Sequence, residues 1–134
     1  ASASKDPSTK TGSVIVDRDR RVVSIGYNGF PRGVNDTPER YLDRPLKYKL
    51  IVHCEENAIL NAPLGVRACA LISTKFPCSE CAKVIIQSGI KDVIYADHGA
   101  NKSDAWWAED GRISEMAMRE AGVIVMPASE ARWL

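Results

Sequence analysis

Histidine is scarce, at two in 134 residues, and no stretch stays apolar for more than a few positions, Val84-Ile85-Ile86 being typical. A membrane-crossing helix needs about 20 such residues, so none is expected. An excess of charge of either sign is also lacking. Lys and Arg number 18 against 17 Asp and Glu, a formal charge of +1, which leaves no electrostatic footprint for duplex DNA or an anionic membrane. Cysteine, at four residues, is too sparse for the disulfide-rich secreted class. The first residues, Ala1-Ser2-Ala3-Ser4-Lys5, contain neither Met nor an apolar h-region, so no signal peptide is read; the chain is read as beginning inside a longer protein, in the cytoplasm. What remains is 45% hydrophobic and 26% charged, the composition of an ordinary globular domain, and residues 1–134 are taken as one domain.

The apolar periodicity predicts a strand over Ser13–Val16, a charged turn over Asp17–Arg20, and a hairpin partner over Arg21–Gly26. Residues 27–45, rich in Gly, Pro, Asn and Asp, read as loop, and 46–53 as ambiguous. A helix is expected over Glu55–Asn61, a strand over Ala68–Thr74, and a helix over Cys78–Ser88 closed by Gly89. A strand over Asp92–Ala96, an amphipathic helix over Asp110–Ala121 and a strand over Val123–Met126 complete the order ββ-α-β-α-β-α-β. Strands alternating with helices imply parallel pairing by right-handed crossovers, beside an antiparallel hairpin. The expected architecture is an α/β sandwich of three layers, α/β/α, around a mixed sheet of about five strands.

Chemistry concentrates in His53-Cys54-Glu55 and Pro77-Cys78-Ser79-Glu80-Cys81. One imidazole and two thiolates leave a fourth position open, as in catalytic rather than structural zinc sites. Cys78 and Cys81 stand i, i+3 at a helix start and share a face, where the helix N-terminus favours thiolate. Such a metal lowers the pKa of a held water from 15.7 toward about 7. Glu55, two residues from His53, is near enough to move that water's proton onward. The combination H-x-E…P-C-x-x-C is the known signature of zinc nucleobase deaminases. A structural metal site closed by Cys54 or Cys69, and a redox C-x-x-C, are the blander alternatives. Cys69 in its apolar strand, and Trp106-Trp107, read as packing residues; His98 reads as an exposed bystander.

The strings SKDPSTKTGSVIVD (Ser4–Asp17), GYNGFPRG (Gly26–Gly33), HCEENAILNA (His53–Ala62) and FPCSECAKVIIQSGIKDVIY (Phe76–Tyr95) resemble the deoxycytidylate deaminases of the cytidine deaminase superfamily. That resemblance implies a cytidine deaminase-like fold and hydrolysis of dCMP to dUMP and ammonia, supplying dUMP for thymidylate synthesis. It implies one catalytic Zn²⁺ held by His53, Cys78 and Cys81, with Glu55 as proton shuttle. Asn28 matches a residue that contacts nucleobase or sugar, and Ser4, Lys5 and Asp6 fall near the sugar and phosphate. It further implies a homohexamer activated by dCTP and inhibited by dTTP, with Mg²⁺ accompanying the effectors, which would meet Gly29, Arg32 and Gly33. Deamination of deoxycytidine, cytosine or tRNA adenosine, and a non-catalytic nucleotide-binding zinc module, are the alternatives. Cys54 stands where the family usually has Ala; it is expected to be a buried thiol turned away from His53 and Glu55, with a rearranged site using Cys54 as ligand the alternative. With His98 and Cys69 the other spare donors, a second structural zinc is not expected.

Overall fold

Five short apolar runs supply the sheet. The computed structural model describes residues 11–96 and 103–132. β1 (Gly12–Val16) and β2 (Val22–Tyr27) form an antiparallel hairpin. Asp17 shapes its turn, its Oδ1 accepting from the amides of Asp19 and Arg21 at 2.9 Å each, as a short carboxylate beside free N–H groups does. β3 (Ala70–Ser73), β4 (Asp92–Tyr95) and β5 (Ile124–Pro127) complete a sheet of order β2-β1-β3-β4-β5. β1 runs antiparallel to both neighbours, whereas β3, β4 and β5 are parallel. The mixed five-stranded sheet with helices packed on it is the expected cytidine deaminase-like fold.

The helices are α1 (Pro38–Leu42), α2 (Arg44–Leu50), α3 (Cys54–Asn61), α4 (Ser79–Ser88), α5 (Asp104–Trp106) and α6 (Arg112–Glu120). A π-helical turn, Trp107–Gly111, joins α5 to α6. Directly paired Ile15, Leu71, Val93 and Val125 make one row across four strands. Ala58 of α3, Ala82 and Ile85 of α4 and Met118 of α6 close over it as the main core. Even spacing of two along a strand and three to four along a helix brings these rows together.

Three differences from the sequence reading have local causes. Residues 38–50, read as loop to 45 and as ambiguous beyond it, are two short helices, because Pro38 and Pro45 occupy first-turn positions, where a missing N–H costs nothing, and Asp43 caps α2 by accepting from Leu46 N at 3.3 Å. The predicted helix from Cys78 begins at Ser79, with Cys78 as its extended N-cap. The last helix is preceded by the π turn, which no residue periodicity announces. Gly89 does close α4 in the left-handed conformation at φ 85°, the region glycine enters without a Cβ penalty.

Candidate active site

Two helix N-termini and the C-terminal end of β3 converge on one cavity of about 220 Å³. His53 is the N-cap of α3 and Cys78 the N-cap of α4, and neither side chain caps its own helix. Both are thereby free to face the same point. His53 Nδ1 lies 3.4 Å from Cys78 Sγ and 3.3 Å from Cys81 Sγ. The three donor atoms all fall within 4.8 Å of one another, the one such group among the described residues. Tetrahedral zinc with Zn–S near 2.3 Å and Zn–N near 2.0 Å would set its N and S donors about 3.5 Å apart. The donor set and its spacing fit that ion, with a fourth direction open.

The two thiols are biased in opposite directions. A hydrogen bond from Cys81, then one from His53, outweigh burial and bring Cys78 down to about 4. Cys81 moves the other way, held protonated by its hydrogen bond to Cys78, by burial and by nearby Glu55. Glu55, in the first turn of α3, is buried. Loss of water raises its carboxyl above the ordinary range, against smaller lowering effects from its backbone, Cys54 and His53.

Cys54 is buried, as expected, but it does not turn away from the acid. Its Sγ donates to Glu55 Oε1 at 3.2 Å and lies 3.0 Å from Ser13 Oγ, which donates to Ser73 Oγ at 3.1 Å. Burial, the neighbouring Glu55 charge and its hydrogen bond push this thiol up to about 12, against the lowering bond from Ser13. The first helical turn lies directly on β1 and β3, so the small side chain at 54 meets sheet hydroxyls and the adjacent carboxyl together. Cys54 Sγ is not among the three clustered donor atoms.

Asn28 lines the same cavity, but half of its amide is committed: Oδ1 accepts from Cys54 N at 2.7 Å. Its NH₂ is the part left for a ligand. Gly29, Arg32 and Gly33 line a second cavity of about 570 Å³, with Asn28 on the wall of both. Gly29 is paired through its backbone to Val52, and Arg32 donates to Asn61 Oδ1 at 3.0 Å. Ser4, Lys5, Asp6 and His98 lie outside the described residues.

Sequence reasoning missed the cations of the first cavity. Arg44 and Lys47 of α2 and Lys75 of the β3–α4 loop line it, and Glu55 is the sole carboxylate among its lining residues. Arg44 also donates to Tyr48 Oη at 3.0 Å. Lys47 is nearly inaccessible to solvent, which is unusual for a lysine. In a near-neutral chain these three residues, scattered over 31 positions, give no local signal; the ambiguous segment 46–53 needed the fold to show which side faces the site.

The family model described as the cytidine and deoxycytidylate deaminase zinc-binding region matches residues 1–97. A protein of Aliivibrio fischeri described as an uncharacterized deaminase in the luxG 3′ region is 41% identical over 131 residues, covering 98% of this chain and 83% of that one. The deoxycytidylate deaminase of Homo sapiens is 43% identical over 112 residues, which is 78% of this chain and 62% of the human protein. The Mus musculus deoxycytidylate deaminase is 46% identical over 103 residues, 71% of this chain and 57% of its own length. The chain thus spans less than two thirds of the two mammalian relatives. Among solved structures, the apo dCMP deaminase of cyanophage S-TIM5 superposes with a TM-score of 0.66 at 22% identity, covering 94% of this chain and 86% of that one. That likeness is one of fold.

Proposed function

Because the chain belongs to the cytidine and deoxycytidylate deaminase zinc-binding family, we propose that it hydrolyses dCMP to dUMP and ammonia. The observation that carries this reading is the meeting of Glu55 with His53 and Cys78 on one cavity, where the Cys81 donor atom clusters with those of His53 and Cys78. Zinc held by those three residues would supply the Lewis acidity that makes water nucleophilic near neutral pH. As the water adds to C4 of the cytosine, Glu55 takes its proton and delivers it to N3. Glu55 then takes the proton of the new C4 hydroxyl and passes it to the exocyclic amine; the C4 carbonyl forms as the C4–N bond breaks, and ammonia leaves. Burial suits the carboxyl to this work, since a raised pKa lets it hold a proton as well as release it. Asn28, its oxygen occupied, offers its NH₂ to a carbonyl or hydroxyl oxygen of the nucleotide.

Arg44, Lys47 and Lys75 line the cavity and support a phosphorylated substrate over the free nucleoside, since each side chain can donate to phosphate oxygens. Ammonia release from the zinc-loaded protein with dCMP, compared with deoxycytidine and cytosine, tests the assignment. Turnover of dCMP at least tenfold above deoxycytidine in kcat/KM is expected. An inert dCMP beside a reactive nucleoside rejects the substrate and leaves the chemistry standing.

Regulation belongs to the same proposal. The second cavity, with Gly29, Arg32 and Gly33 on its wall and Asn28 shared with the first, is the proposed site for dCTP as activator and dTTP as inhibitor; Mg²⁺ and a homohexamer enter this reading from the family resemblance alone. A backbone open at Gly33 (φ 83°) and a guanidinium suit a triphosphate. Velocity curves against dCMP with and without dCTP–Mg²⁺ test this, a hyperbola indifferent to both effectors being the contrary result. Four cysteines without a disulfide suit a reducing cytoplasm.

A further inference from the structure

The segment after β4 lies beyond the matched family region, which ends at residue 97, yet it grips the turn that presents two of the three donor residues. Ser79 N donates to Asp110 Oδ2 at 2.9 Å, and Ser79 Oγ donates to Asp110 Oδ1 at 2.6 Å. One carboxylate therefore closes a two-armed fork on the residue that follows Cys78. Four residues further on, fully buried Ser114 donates from Oγ to Pro77 O at 2.8 Å.

These bonds fall on both sides of Cys78. The Pro77 carbonyl belongs to the peptide unit before Cys78, and the Ser79 N–H to the unit after it. Fixing two successive peptide planes fixes the φ and ψ between them, which at Cys78 are −73° and 171°. The direction of the Cα–Cβ bond, and with it the reach of Sγ, is set by the same contacts. An N-cap residue ordinarily spends its own side chain on the first free amides of its helix. Cys78 makes no such cap; Asp110 takes up the adjacent Ser79 amide, and the thiol faces His53 at 3.4 Å.

The π turn Trp107–Gly111 makes this reach feasible. Its own Trp107 and the preceding Trp106 of α5 pack against Gly111, where a Cβ would stand 2.5 Å from Trp107 Cε3 and 2.7 Å from Trp106 Cζ3. Trp107 meets Phe76 edge-on at 4.9 Å, beside the same turn. The local widening ends where α6 begins, with Asp110 and Ser114 four apart and both directed at residues 77–79. Such turns recur at functional sites.

We infer that Asp110 and Ser114 are positioning residues for the metal centre: by clamping the peptide units on either side of Cys78, they keep its Sγ, and through α4 that of Cys81, aimed at His53. The inference rests on the metal reading of this site and concerns retention and geometry of the ion rather than the choice of substrate.

The test loads the whole chain with zinc and follows transfer to an excess of a chromogenic chelator. The same proteins loaded with cobalt report donor geometry through their visible spectrum. Asp110→Ala and Ser114→Ala are expected to weaken zinc retention by about 10–100-fold and to shift the cobalt bands. Asp110→Asn is expected to remain near wild type. Its amide oxygen can accept from Ser79 N while its NH₂ donates to Ser79 Oγ, preserving both arms without the charge.

A folded Asp110→Ala protein with wild-type retention and spectrum overturns the inference, even where its thermal midpoint falls, since a helix cap alone would do that. Equal loss in Asp110→Asn and Asp110→Ala overturns the fork as its cause. Should Asp110→Ala not fold, Ser79→Ala removes one arm and no charge. Intermediate retention in that variant supports the inference, and unchanged retention overturns it. Wild-type protein that takes up no zinc defeats the metal reading and the inference together; a zinc-binding wild type with indifferent variants defeats the inference alone.

Discussion

Glu55 and Cys81 show how position sets the chemistry of single side chains. Glu55→Gln keeps the shape of the carboxyl and removes its capacity to exchange protons. Zinc content should stay at wild-type level while kcat falls by about 10²–10⁴-fold, the range for a general acid–base; metal analysis beside a turnover assay checks both. Its bond to Cys78 and its burial push Cys81 toward the protonated form, whereas the hydrogen bond from Cys81 pulls Cys78 toward the thiolate. A ligand must be deprotonated, so zinc loading should release about one proton per site, and affinity should rise with pH. Titration calorimetry in two buffers of different ionisation enthalpy measures that proton. Lys75→Ala should raise KM for dCMP several-fold and leave kcat/KM for deoxycytidine unchanged, because a point charge helps only where a phosphate is present. An equal effect on both substrates would place Lys75 in packing instead.

At the scale of elements, α3 carries His53 and Glu55 because β2 lets it come close. A Cβ on Gly26 would collide with Cys54 O and Ala58 N, and Ser24 Oγ bonds Ala58 O at 2.6 Å. Gly26→Ala should therefore destabilise the protein by about 3 kcal/mol, the cost of forced overpacking, visible as a lower denaturant midpoint. It should also lower zinc retention, because α3 cannot retreat without taking His53 along. The helices themselves were partly legible in the residues. Pro63 and Gly89 mark ends that local chemistry dictates. Residues 38–50 were not, since Gly, Pro and Asp signal turns and helix caps alike, and only the stacking of Phe30 on Tyr41, with centroids 4.2 Å apart, shows how α1 is held.

At the scale of the molecule, the proposed metal site would join α3 to α4 across a separation of 25 positions. An ion bound only in the folded state stabilises that state by mass action. Chelation should lower the thermal midpoint and abolish turnover, and added zinc should restore both; recovery of activity without zinc would reject the metal reading. No helix among the described residues is long and apolar enough to cross a membrane.

Sequence by itself determined the strands, the parallel half of the sheet and the donor types, because periodicity, turn chemistry and the C-x-x-C spacing act over a few residues. Tertiary structure alone decided the rest. Cys54 meets Glu55, the Asn28 oxygen is spent on a backbone amide, Arg44, Lys47 and Lys75 gather at one cavity, and Asp110 crosses 31 positions to Ser79. Each of these depends on the direction in which a side chain leaves its element once helices and sheet have docked, and that direction is a property of the packed core rather than of neighbouring residues.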